Sequence, residues 1–155
     1  MKTIIKIMVA VDFSEYSLKS VKFGASLARD VAADLLLVNV INKDHFDVLY
    51  RIEAEVPSFS VKTYLEEKKK DIARQLETLQ EAGNCSGVKV ENAIRIGTPY
   101  EELLKCIKEK GADLLIMATK GRSNLVDTVI GSCAQKMFRR CPIPLLSIRG
   151  DKTAE

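Results

Sequence analysis

The chain has 155 residues, 46% of them hydrophobic and 29% charged, with 24 basic and 21 acidic side chains giving a formal charge of +3. That length and balance fit one globular domain, residues 1–150, with a flexible tail at 151–155, and exclude a disordered or fibrous chain. Interspersed charge gives no broad cationic face for a nucleic-acid backbone, and a chain without Trp and with few Phe and Tyr offers no base-stacking platform, so no nucleic-acid partner is expected.

The first element is an apolar run at residues 4–11. It contains a lysine, lacks a long apolar core and a cleavage site, and therefore reads as a strand and not as a secretory signal. Residues 14–32 have helical spacing, with Leu18, Val21, Phe23, Ala25, Leu27 and Ala28 largely on one side. Ser14 suits the N-cap, and Ser17 three residues on makes half a capping box. A second apolar run fills 34–41. The stretch 42–60, with His45 and Pro57, is long for a connection; such segments are often mobile or functional, and part of this one can be helical.

Residues 61–82 place Tyr64, Leu65, Ile72, Leu76 and Leu79 on a charged helical background. The run Glu66 to Lys70 reads as a solvated face, and Gly83 as the helix stop. After a third apolar run at 88–96, Thr98 and Pro99 open a helix as N-cap and first residue, with Leu103, Leu104 and Ile107 facing inward. Apolar runs at 113–117 and 144–148 flank a last helix at 131–140. Runs of Val, Ile and Leu without polar alternation are strands buried on both faces. Strands alternating with helices give a doubly wound α/β fold, a parallel sheet with helices on both faces, whose ligands bind beyond the carboxyl ends of the strands.

The cysteines are Cys85, Cys106, Cys133 and Cys141. None form a C-x-x-C pair and His45 is remote from all of them, so the pattern of a zinc site is missing and no metal site is expected. Cys106 and Cys133 fall at helix positions suited to small packing residues. Free thiols without a framework point to a reducing, cytoplasmic location. No apolar stretch approaches the length of a bilayer span, so no membrane partner is expected.

Three segments converge at the carboxyl end of this sheet. At the first, Asp12 can accept hydrogen bonds from a sugar hydroxyl or an amino group, or simply cap the first helix. At the second, Asn39-Val40-Ile41, backbone groups leaving the strand can meet an adenine edge or be only a strand end. The third runs Ala118-Thr119-Lys120-Gly121-Arg122 and resumes at Gly131-Ser132, with nine residues between the glycines. Glycines admit φ > 0 and a close ligand, successive N–H groups form an anion-binding nest, and the following helix adds oriented donors. Ser132 offers a hydroxyl, and Lys120 and Arg122 offer charge.

These residues resemble the universal stress protein family, and the similarity covers nearly the whole chain. Ile7-x-Val9-Ala10-Val11-Asp12-Phe13-Ser14-Glu15-Tyr16-Ser17 is similar to that family's first strand and turn. Leu36-Leu37-Val38-Asn39-Val40 is similar to its second strand, with Asn39 where a histidine is common. Ile96-Gly97-Thr98-Pro99, followed by Glu101 and Ile107, resembles its G-x-P turn and third helix. Ala112 to Met117 leads into the loop as in the family, and Cys141-Pro142-Ile143-Pro144-Leu145-Leu146 matches its closing C-P-x-P-x-L strand. The resemblance implies a Rossmann-like fold of the adenine nucleotide alpha hydrolase type, with five parallel strands in the order 3-2-1-4-5, and a homodimer through the last strand.

It also implies a ligand. Family members with the signature G-x-x-G, nine residues, then G-S or G-T bind ATP or related nucleotides. Gly121, Gly131 and Ser132 match it; Asp12 and Val40 match the positions that hold ribose and adenine, and Ala10 and Val11 their backbone neighbours. With Met117, Ala118, Thr119, Lys120 and Arg122 leading through the loop and Cys133 and Ala134 following Ser132, these are the candidate nucleotide-binding residues. The first glycine of the signature is Ala118 here. A left-handed alanine costs roughly 1–2 kcal/mol, about tenfold in affinity, whereas in extended backbone the penalty vanishes.

The expected function is an adenine-nucleotide-binding regulatory protein of the stress response, with ATP or AMP as cofactor. The alternative is a nucleotide-free dimeric interaction module of the same fold. No protein metal site is assigned; Asp12 and Asp127 can hold a magnesium bridged by the phosphates, or Asp127 can simply lie exposed in the loop. No catalytic residues are assigned: the chain has no Walker A lysine motif, no S-G-G-x-D-S loop and no H-x-G-H, which leaves slow ATP hydrolysis as the most that enzymatic activity would amount to.

Overall fold

Apolar runs that never alternate with polar residues need cover on both faces, and the chain supplies it. The computed structural model describes residues 2–120 and 130–150; Gly121, Arg122, Asp127 and the expected tail 151–155 lie outside the described residues. Strands β1 (Lys6–Ala10), β2 (Asp34–Asn42), β3 (Val90–Gly97), β4 (Leu114–Ala118) and β5 (Leu145–Ile148) form one sheet, ordered β3-β2-β1-β4-β5, with every neighbouring pair parallel. The helices are α1 (Glu15–Val31), α2 (Phe46–Glu55), α3 (Val61–Ala82), α4 (Pro99–Lys110) and α5 (Ser132–Arg140).

Strand side chains point to alternate faces, so each strand feeds two cores. Ile7, Val9, Leu35, Leu37, Leu114 and Ile116 pack with Val21 and Ala25 of α1 and Leu76 of α3. Met8, Leu36, Val38, Leu115 and Met117 pack with Leu103 and Ile107 of α4 and Met137 of α5. Each such side chain contributes roughly 1.5–3 kcal/mol through burial.

Thr98 and Pro99 start α4 as expected, and α3 spans 61–82, where Ser60 caps it by accepting from Thr63 N. Gly83 differs from its reading as a conformational stop. Its φ is −80°, outside the left-handed region, and an added Cβ would lie 2.5 Å from Val21 Cγ1. Glycine is needed there so that the end of α3 can close on α1, and the left-handed residue is the next one, Asn84. Ser14 stands at the N-cap of α1, yet its side chain makes no capping bond. The segment 42–60 contains a 3₁₀ turn at Lys43–His45 and then α2, a helix with no buried residue. Among the described residues, no helix is long and apolar enough to cross a membrane.

Candidate functional site

The chain leaves β1 for α1 on one face of the sheet and leaves β4 towards α5 on the other. Such a switch point opens a crevice at the carboxyl ends of the strands. Here it is a cleft of about 720 Å³, within the range of roughly 300–1,000 Å³ usual for small-ligand sites.

Its first wall is the turn after β1. Val11 N donates to Val38 O at 2.9 Å, one step beyond the ladder, and buried Asn39 donates through Nδ2 to Val11 O at 2.8 Å. This double tie fixes where β1 ends. Asp12 Oδ1 then accepts from Ser14 N at 2.9 Å and from Ser17 Oγ at 3.0 Å. The carboxylate thus supports the start of α1 and also lines the cleft, so both readings of Asp12 describe one geometry. Phe13 between these groups has φ 62°. For a bulky residue the left-handed region costs about 1–2 kcal/mol, a strain kept only where neighbours hold it.

The opposite wall is built by β4 and α5. Ala118 is the last residue of β4, paired with Ile148, and its φ is not positive. Alanine therefore carries no backbone penalty at this position. Thr119 N donates to Ile148 O at 3.1 Å, and Thr119 O accepts from Gly131 N at 2.9 Å. That last bond changes the account of the nest, because the Gly131 N–H is already engaged. The first helical bond runs from Gln135 N to Gly131 O. The amides of Ser132, Cys133 and Ala134, the first three residues of α5, consequently have no intrahelical acceptor, and all three residues line the cleft. Gly131 itself has φ −58° and does not need glycine's conformational freedom.

Between the walls lie Ala10, Val11 and Val40 on the floor, with Met117, Ala118, Thr119 and Lys120 beside them. Every candidate residue among those described lines this one cleft; Gly121 and Arg122 are outside the described residues. Cys133 is a poor nucleophile. Burial, reinforced by Asp12 and opposed by Lys136, pushes its thiol up to about 11, so it is neutral at pH 7. Among the described residues, no group of three or more His, Cys, Asp and Glu is placed to hold a metal ion.

A further wall comes from the 42–60 segment and α3. His45, Phe46 and Leu49 close one side, and Tyr64, Lys68, Asp71 and Gln75 of α3 lie beside them. The α3 residues recur at i, i+4, i+7 and i+11, a helix-face signal present in the sequence but masked by the charged run at 66–70. Phe13 and Ser17 were also missed as cleft residues.

A model of the universal stress protein family matches residues 4–149. The chain is similar to universal stress protein YxiE of Bacillus subtilis, 28% identical over 150 residues covering 93% of this chain and 98% of that protein. It is also similar to universal stress protein MJ0577 of Methanocaldococcus jannaschii, 26% identical over 155 residues covering 93% of this chain and 94% of the other. A solved structure of MJ0577 superimposes with a TM-score of 0.79 at 25% identity, covering 98% of this chain and 100% of that one. Two more distant structures share the fold. One is a universal stress protein in complex with cAMP, with TM-score 0.64, 19% identity and coverage of 96% and 98%. The other is the universal stress protein from Archaeoglobus fulgidus in complex with dAMP, with TM-score 0.62, 15% identity and coverage of 94% and 98%.

Proposed function

This chain belongs to the universal stress protein family, and we propose that it binds an adenine nucleotide, ATP or AMP, as the sensing step of a regulatory protein in the stress response. One observation carries the reading: the described residues that match the family's nucleotide positions line a single cleft, with three amides that have no intrahelical acceptor on one wall and a fixed carboxylate on the other. A phosphate takes the amides of Ser132, Cys133 and Ala134, where the helix N-terminus adds partial positive charge. The ribose hydroxyls donate to Asp12. The adenine lies over Val40 at the end of β2, with its polar edge on backbone groups there. That relatives of this fold hold cAMP and dAMP supports an adenine nucleotide as the ligand class.

The extended backbone of Ala118 carries no left-handed penalty, which supports nucleotide binding over a nucleotide-free module, although its methyl still faces whatever ligand lies there. The β5 edge is the surface through which we propose that two copies pair, in a reducing cytoplasmic setting. Thermal unfolding with ATP, AMP and GTP tests the reading. Ligand at a hundredfold over its Kd adds roughly 2.7 kcal/mol, so ATP and AMP should raise Tm by several degrees and GTP should not. Equal effects of adenine and guanine nucleotides, or no shift at millimolar ATP and AMP, would contradict it.

A further inference from the structure

One buried hydroxyl holds the turn that carries Asp12. Ser17, 2% exposed, lies in the first turn of α1. Its Oγ accepts from Asp12 N at 3.0 Å and from Phe13 N at 3.1 Å, and donates to Asp12 Oδ1 at 3.0 Å. A hydroxyl has one hydrogen and two lone pairs, so its whole bonding capacity is used inside this turn. Oδ1 also accepts from Ser14 N at 2.9 Å, and two donors on one oxygen set the rotation of the carboxylate. The left-handed Phe13, at φ 62°, sits in the middle of this arrangement, with its own N–H on the Ser17 hydroxyl.

We propose that Ser17 is a positioning residue: it presets the Asp12 carboxylate against the ribose hydroxyls and so makes the cleft favour ribonucleotides over 2′-deoxyribonucleotides. The proposal rests on the reading of the cleft as an adenine-nucleotide site with Asp12 at the ribose. A site built to accept a hydroxyl's hydrogen bond rejects the analogue that lacks it, provided the acceptor is held where the hydroxyl arrives. AMP and dAMP share the phosphate, the adenine and the 3′-hydroxyl, so contacts made to those groups affect both alike. The ratio of their affinities therefore isolates the contact between Asp12 and the 2′-hydroxyl. A purely structural Ser17, acting only on the stability of α1, would move both affinities together.

The test is calorimetric titration of AMP and dAMP into the full chain and into Ser17→Ala, Ser17→Thr and Asp12→Asn, with folding checked by circular dichroism. The unaltered chain should prefer AMP by roughly ten- to hundredfold, the worth of one hydrogen bond to a charged group. Ser17→Ala should remove most of that preference while changing dAMP affinity by less than about threefold. Ser17→Thr, which keeps the hydroxyl, should retain it, and Ser17→Ala added to Asp12→Asn should change the ratio no further. If Ser17→Ala does not fold, Ser17→Cys, with its weak S–H donor, carries the same comparison. Equal weakening of both nucleotides, or an unchanged ratio, overturns the role of Ser17. A chain that binds AMP and dAMP equally well overturns it too but leaves the cleft reading standing, whereas one that binds neither overturns the cleft reading itself.

Discussion

Gly131 sits at φ −58°, ψ 149°, a conformation open to any L-residue, and among the described residues an added Cβ would meet only the Thr119 carbonyl, at 3.7 Å. The fold has no need of a glycine here. On the proposed reading, a glycine there leaves room for a phosphate at the α5 amides. Gly131→Ala should leave stability in urea within about 0.5 kcal/mol and weaken AMP binding about tenfold. A loss of stability matching the loss of affinity would place its role in the backbone instead. Residue types at this scale were legible: an acid after the first strand, a glycine before the last helix and a serine opening it. Their partners were not. The Gly131 N–H is engaged by Thr119 because the chain returns beside β4, a tertiary fact. Ser17 showed only as half a capping box, since its hydrogen bonds depend on the left-handed turn at Phe13.

The elements divide by burial. β1, β2 and β4 were readable as continuous apolar runs because helices cover both of their faces, and α3 was readable at both ends from its periodicity and Gly83. α2 was legible only as part of a stretch, 42–60, that can be helical, and its bounds were not. Phe46 and Leu49 line the cleft while Val48 and Tyr50 are 55% and 54% exposed, so no buried face marks the helix out from a long connection. A helix with no buried residue opens at low free energy. Hydrogen exchange at 46–55 should therefore be faster than in β1 of the free protein. Because Phe46 and Leu49 line the cleft, exchange there should slow when AMP binds. Unchanged exchange in α2 at saturating AMP would contradict a ligand that reaches this wall.

Over the whole molecule, the doubly wound parallel sheet followed from the alternation of strand and helix and its strand order was implied by the family resemblance, while the ties across it came only from the structure. Asp113, at the amino end of β4 and far from the cleft, accepts from Ile5 N at 3.0 Å and Lys6 N at 3.1 Å, and its carboxylate pairs with Lys2 at 2.7 Å. Lys2 and these two N–H groups hold its carboxyl below the ordinary range. The stabilisation is therefore complete above the unfolded value of about 3.9 and is lost as pH falls through the lowered native value. Asp113→Asn should reduce the urea midpoint at pH 7 and make it fall less steeply towards pH 3. Parallel curves for the two proteins would show that Asp113 is not responsible. The raised Cys133 thiol acts in the opposite direction: its contribution is full below about 8.5 and declines as pH climbs towards about 11.

Amide chemical shifts during titration of the ¹⁵N-labelled full chain with AMP report whether an adenine nucleotide occupies this cleft with its phosphate on the first turn of α5. Saturable shifts should concentrate at Asp12, Val40 and the amides of Ser132, Cys133 and Ala134, with β5 and the Asp113 end of the sheet unmoved. Saturable shifts centred away from those residues, or none at millimolar AMP, would contradict that occupancy.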